Sequence, residues 1–242
     1  MPRLAASQPK TSQRAPAAGQ PMLTLEEMLN DAPFMVLAPH PDDEVLGCGG
    51  LLALAADAGL PALVATLTDG SASHASSLWP PRRLAEQRER EVHDGLALLG
   101  ATDVMVVPLG LPDGGLGQPT VRASLLSTLG QLARRHKAHS LLVTDAGDDH
   151  PDHREAFRLA SALLAQGIVQ RVFSFPVSQR LDGQDVSRFR RLRTSQLANR
   201  KRAAIEAHLS QTGKIADLGA GFCLSQEAIN AFATEDEMFL LA

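Results

Sequence analysis

The sequence predicts an α/β fold: a Rossmann-like, doubly wound and mostly parallel sheet built as a single domain. Three observations predict it. Short apolar runs alternate with longer segments of helical character, the succession expected of strands joined by crossover helices. Most of the runs are continuously apolar rather than alternating, as strands covered on both faces must be. The chain has 242 residues, 44% of them hydrophobic, which suits one large core better than two small ones.

Residues 1–23 open with "MPRLAASQPKTSQRAPAAGQPM", which contains no acid and is rich in Ala, Pro, Gln and Ser. Such a segment cannot bury enough apolar surface to offset its ordering entropy, so it reads as a disordered tail. The domain is expected over 24–242. The strands follow as "FMVLA" (34–38), "ALVATL" (62–67), "VMVVPL" (104–109), "SLLVT" (140–144) and "IVQRVFSF" (168–175). Helices are expected over 44–59, from Arg82 to Gly100, and over 120–137 and 151–167. Three of the four close on glycine, and Pro151 stands where a first helical turn tolerates it. The last third is less regular: a basic helix is expected over 188–209 and a short helix near 225–233.

Composition narrows the function classes. The net charge is −4 and 21% of residues are charged, which gives no global attraction to nucleic acid or anionic membrane. Tyrosine is absent and Trp79 is the only tryptophan, so few rings are available to stack on bases. Cys48 and Cys223 make no disulfide framework, and both read as core residues. No apolar run approaches the roughly 20 residues that span a bilayer, and no apolar core of signal-peptide length opens the chain. A cytoplasmic protein with a small-molecule partner is the expectation.

Chemistry concentrates in two clusters. "PHPDDE" (39–44) follows the first strand, and "DAGDDHPDH" (145–153) follows the fourth. In a doubly wound sheet of strand order 3-2-1-4-5 those two strands are neighbours where the order reverses, and ligands bind beyond the carboxyl ends there. His40 and His153 should therefore meet in one cleft. The available ligands are His40, Asp42, Asp43, His150, Asp152 and His153. Two histidines and one carboxylate form a common set for catalytic zinc, with a fourth position for water. Adjacent side chains in an extended loop point apart, so Asp42 and Asp43 can divide metal binding and base catalysis. Helix capping accounts for one acid at such a site, not for three acids and a histidine between prolines.

The paired "PHPDDE" and "HPDH" resemble the LmbE-like/PIG-L family of metal-dependent deacetylases, which includes enzymes acting on N-acetylglucosaminyl conjugates. "RERE" with "GLALLG" (88–100), "LPDGGL" (111–116) and "KRAAIEAHLSQ" (201–211) extend the resemblance over about residues 34–240. The resemblance implies that His40, Asp43 and His153 hold the metal, Zn²⁺ or alternatively Fe²⁺. It implies that Asp42 is the general base, and that His150 lies beside the scissile carbonyl, where it stabilises the oxyanion or protonates the leaving group. Glu44 would orient a ligand histidine or favour the helix start. Trp79 and Arg83, in the long loop 71–83 after the second strand, would offer a sugar platform and a cation. Asp113 and His208 are assigned to the substrate side, Asp113 otherwise being a turn residue. Arg88 and Glu91, one helical turn apart, read as a surface ion pair.

Two other functions compete. A phosphoesterase would use the same clusters with a second metal, drawing on Asp148, Asp149 and Asp152. A dinucleotide-binding module would use "GCGG" (47–50) and Asp69. "PHPDDE" stands between the strand and those glycines, however, the third glycine of the fingerprint falls on Leu52, and an acidic loop repels a pyrophosphate. The basic run 188–202 reads as a solvated helix face, or as a site for an anionic substrate.

Overall fold

In a computed structural model, the structure of the protein describes residues 22–177 and 188–242. The chain runs β1 (Met22–Leu23), α1 (Leu25–Leu29), β2 (Phe34–Ala38), α2 (Asp43–Asp57), β3 (Ala62–Thr68), β4 (His74–Ala75), α3 (Pro81–Leu98) and β5 (Met105–Leu111). It continues with α4 (Pro119–His136), β6 (Ser140–Thr144), α5 (Pro151–Ala165), β7 (Arg171–Phe175) and β8 (Arg190–Leu192). After a 3-10 turn at Ser195–Leu197 come α6 (Ala198–Ala207), β9 (Ala220–Gly221), α7 (Gln226–Thr234) and β10 (Glu237–Leu241).

The main sheet has eight strands in the order β1-β8-β10-β7-β6-β2-β3-β5. Its five-strand centre is the expected 3-2-1-4-5 arrangement, all parallel. β2 lies between β3 and β6, and this is where the order reverses. Alternation along β2 divides two apolar layers. Phe34, Val36 and Ala38 pack with α2, α6 and α7 on one face. Met35 and Leu37 pack with α4 and α5 on the other. Both sets are fully buried, which is why the run carries no polar residue. Gly59 and Gly167, just past α2 and α5, take φ of 70° and 65°, the left-handed conformation that glycine adopts without steric cost.

The C-terminal third departs from expectation. Residues 188–209 are not one helix: the stretch begins as strand β8, turns through Ser195–Leu197, and becomes helical only at Ala198. The reason is tertiary. β8 finds partners on both sides, antiparallel β10 and parallel β1, and strand pairing overrides local helical preference. Several of its basic residues engage neighbours, while Arg188 and Arg193 are exposed. Arg190 donates to the Met22 carbonyl, Arg200 pairs with Asp57, and Arg202 meets Asn230. Met22 and Leu23, the last residues of the expected tail, form β1; residues 1–21 lie outside the described residues. Cys48 is buried as expected, but Cys223 is exposed, in the irregular stretch after β9.

α2 is two helices joined at a kink. Cys48 has φ −141° and ψ 23°, which interrupts the helical ladder. The amides of Gly50 and Leu51, which begin the second segment, donate instead to the two carboxylate oxygens of Glu237, at 2.6 and 2.9 Å. Lys201 on α6 reaches the same carboxylate at 2.5 Å, and both side chains are 2% exposed. A carboxylate is well placed at this start, where unpaired amides and the helix dipole favour negative charge. Gly50 has no room for a side chain, because a Cβ would lie 2.6 Å from Thr194.

Replacing Glu237 with alanine would strand Lys201 and two amides in the core. Glu237→Ala should therefore lower unfolding stability by about 3–5 kcal/mol, read as a drop in the urea midpoint with an unchanged slope.

Candidate metal centre

The two polar clusters do converge. β2 and β6 pair in parallel, Leu37 opposite Val143, so the loops leaving their carboxyl ends lie side by side. His40 Nδ1 and His153 Nε2 are 3.1 Å apart. Asp43 Oδ2 lies 3.4 Å from the first and 3.3 Å from the second. Ligand atoms about 2.0–2.2 Å from a tetrahedral zinc are themselves separated by about 3.3–3.6 Å. The three atoms thus already stand close to the spacing of one shared divalent ion, and the residues fit a metal.

Each histidine has a carboxylate behind it. His40 Nε2 lies 3.2 Å from Asp113 Oδ1 and 3.6 Å from Asp152 Oδ2. His153 Nδ1 lies 3.0 Å from Asp148 Oδ2. An outer carboxylate favours the proton on the outer nitrogen and leaves the inner lone pair for a metal. Burial alone would depress both imidazoles, but the carboxylates outweigh it. His153 is raised to about 9, and His40 is held well above the usual histidine range. Burial would raise Asp43, yet the two imidazoles hold it well below the usual carboxylate range. A field that favours protons on both rings also favours a cation between them.

Two wider groupings have donor atoms within 4.8 Å of one another: His40, His150 and His153, and His40, Asp113 and Asp152. Their outer members are engaged elsewhere. His150, the N-cap of α5, accepts the Asp152 amide on Nδ1 at 3.2 Å. Asp152 accepts the amides of Gly114 and Leu116 at 2.8 and 3.1 Å, fixing the loop after β5 against α5. The His150 ring stands edge-on to His40, centroids 4.5 Å apart, and 5.0 Å from His153. Burial and then its neighbouring imidazoles lower His150 to about 4. It is neutral at pH 7, and with Nδ1 accepting, its proton sits on Nε2.

Asp42 occupies the N-cap of α2 with φ 152° and ψ −24°, a conformation rare outside glycine, and makes no side-chain cap bond. The residue is 6% exposed and its carboxylate faces Arg88, with Oδ1 3.2 Å from Nη2. Burial pushes Asp42 up from the usual range, against the pull of Arg88. Arg88 also donates to the carbonyls of Gly70 and Pro41. This corrects the surface ion-pair reading. Arg88 and Glu91 are both buried and do not need each other: Glu91 takes the Ser210 amide and hydroxyl. The reach of Arg88 to Asp42 was hidden because nothing in an Arg-Glu helix pattern marks a partner so distant in sequence.

The substrate-side residues divide. Asp113 is beside the centre, and its other oxygen accepts the Ala72 amide at 3.2 Å, tying loop 71–83 to His40. Trp79 is half-buried and stacks with Arg83, whose guanidinium carbon is 3.9 Å from the ring centroid. His208 does not line a cleft. It is 1% exposed, against Gly95 and 3.8 Å from Glu44 Oε1, because the end of α6 points inward. The glycines of "GCGG" are packing positions rather than a phosphate cradle: a Cβ on Gly47 would lie 2.0 Å from the Phe175 ring. Among the described residues, no helix is long and apolar enough to cross a membrane.

Residues 35–164 match the family described as PIG-L, GlcNAc-PI de-N-acetylase. The 2'-N-acetylparomamine deacetylase of Streptomyces fradiae is 31% identical over 159 residues, covering 57% of this chain and 54% of that protein. The diacetylchitobiose deacetylase of Thermococcus kodakarensis is 26% identical over 136 residues, covering 54% and 49%. The chain thus spans about half the length of the curated relatives it matches. The fold is similar to that of N,N'-diacetylchitobiose deacetylase from Pyrococcus horikoshii, with a TM-score of 0.70, 20% identity, and coverage of 90% of this chain and 87% of that one. With the family match spanning more than half of its length, including both clusters, the chain belongs to the PIG-L (LmbE-like) family.

Proposed function

We propose that the protein is a metal-dependent deacetylase that removes an N-acetyl group from an amino sugar or its conjugate. The observation that carries this reading is the triangle of His40 Nδ1, His153 Nε2 and Asp43 Oδ2. The names of the relatives, deacetylases of N-acetylated sugars, support the substrate class. His40, Asp43 and His153 are the proposed ligands, and imidazole with carboxylate suits Zn²⁺, with Fe²⁺ the alternative. A divalent ion there supplies a Lewis acid for the amide carbonyl and a water activated near neutral pH.

The remaining steps belong to the side chains. Asp42 takes a proton from the attacking water as its oxygen bonds to the acetyl carbon. His150 donates Nε2–H to the carbonyl oxygen as negative charge grows there. The C–N bond then breaks, the proton passes from Asp42 to the departing nitrogen, and acetate and a free amine leave. A neutral His150 of low basicity suits the donor role better than that of an acid. Asp113, Trp79 and Arg83 are proposed to face the sugar. A phosphoesterase is the alternative reading; it would need a second ion from Asp148, Asp149 and Asp152, of which Asp148 faces His153 and Asp152 accepts two backbone amides.

Zinc-loaded protein incubated with N-acetylglucosamine, N,N'-diacetylchitobiose and N-acetylated aminoglycosides should release primary amine, while p-nitrophenyl phosphate stays intact. No amine from any of them would sink the reading. Asp42→Asn should cut turnover by about 10²–10⁴ at full zinc content. Asp43→Ala and His153→Ala should instead lose the ion, from about one per chain by elemental analysis. His150→Ala should retain the ion and lose about 10²–10³ in kcat, comparable to removal of other oxyanion donors.

A further inference from the structure

A buried row of polar groups behind the proposed base plays no part in the mechanism above. The Asp42 backbone is strained, and its own side chain contributes no cap bond. Its carbonyl accepts the amides of Val45 and Leu46. Its amide donates to Glu44 Oε2 at 3.1 Å, a side-chain bond from only two residues on. Glu44 is wholly buried. Its second oxygen, Oε1, faces His208 Nε2 at 3.8 Å, beyond hydrogen-bond reach, and neither that oxygen nor either His208 ring nitrogen has a hydrogen-bond partner among the described residues. Buried polar atoms this poorly matched are uncommon and call for an explanation. The space for the ring is made by Gly95 on α3, where a Cβ would approach His208 Nε2 to 3.1 Å. The backbone carbonyl of His208 is itself fixed by the amides of Gln211 and Thr212. The row Asp42, Glu44, His208 therefore links the proposed base to the end of α6 through groups that are all buried.

We propose that Glu44 and His208 are positioning residues: Glu44 holds the Asp42 backbone in its strained conformation, and His208 holds Glu44. The inference rests on Asp42 being the base, and deepens that reading. The strain makes the arrangement costly to leave unsupported, and strained residues persist only where their surroundings over-determine them. A base displaced by about an ångström loses rate without losing substrate affinity, because its proton transfer belongs to the transition state.

The test compares Glu44→Ala, which removes the acceptor, with Glu44→Gln, which keeps one oxygen for the Asp42 amide. Glu44→Ala should lower kcat on the best N-acetylated sugar by about 100-fold, with KM within about twofold and zinc content equal to the parent. Glu44→Gln should recover most of the loss. His208→Phe, which fills the ring's space without its nitrogens, should lower kcat by about 10-fold at constant KM. A crystal structure of Glu44→Ala should show Asp42 relaxed to negative φ. Asp42 unmoved in that crystal, or Glu44→Gln as impaired as Glu44→Ala, would overturn the role of Glu44. Unchanged kcat in His208→Phe would overturn that of His208. Should Glu44→Ala not fold, the crystal structure of Glu44→Gln decides: the introduced amide oxygen on the Asp42 N–H supports the role, and its absence there refutes it. If the parent hydrolyses no amide, the deacetylase reading falls, while the backbone of Asp42 in these crystals still settles the positioning role.

Discussion

The parallel pairing of β2 with β6 is the constraint on which the candidate metal centre depends. Neither cluster can form a site alone. His40 and Asp43 leave β2, His153 enters α5 just after β6, and only the register of those two strands sets the donor atoms 3.1–3.4 Å apart. A slip of one residue would move each side chain of β6 to the opposite apolar layer. The fully buried Leu141 and Val143 on one face and Leu142 on the other make that slip prohibitive. The chemistry is thus secured by hydrophobic packing in the layers beneath it.

Around that centre acids are concentrated. Asp43 touches both imidazoles, while Asp113, Asp152 and Asp148 stand behind them. Two of the outer acids do a second job: Asp113 takes the Ala72 amide, and Asp152 takes the amides of Gly114 and Leu116. The loops after β3 and β5 are therefore fastened to the carboxylates that orient the proposed ligands. Stacking so many carboxylates together is tolerable only because imidazoles, amides and Arg88 compensate them, and because a cation would complete the balance.

Much of this was legible in the sequence, for definite reasons. The apolar runs announce the central strands because strands covered on both faces carry few polar residues, and the topology rule then places "PHPDDE" beside "HPDH" before any contact is known. What stayed hidden depends on distant partners. β8 is short, and the pairing of β8 and β10 is decided by the sheet edge they complete, not by their own residues. Arg88 reads as an exposed helical arginine until α3 is docked over Pro41 and Gly70. His208 reads as a substrate-side residue, because nothing local says that α6 ends facing inward. The kink at Cys48 is equally silent, since the carboxylate that makes it tolerable arrives from Glu237 near the other end of the chain.

The small two-stranded pairing of β4 with β9 has a consequence of its own. His74 and Ala75 bond across to Gly221 and Ala220, Ser76 donates its hydroxyl to the Asp217 carbonyl, and Gly219 and Gly221 leave no room for side chains against that loop. The rim beside the centre is consequently a composite of two stretches separated by 141 positions of chain at the Ser76–Asp217 contact. Transplanting only one of them between relatives would mismatch the other, so any change to this rim has to be inherited, or engineered, as a matched pair of segments.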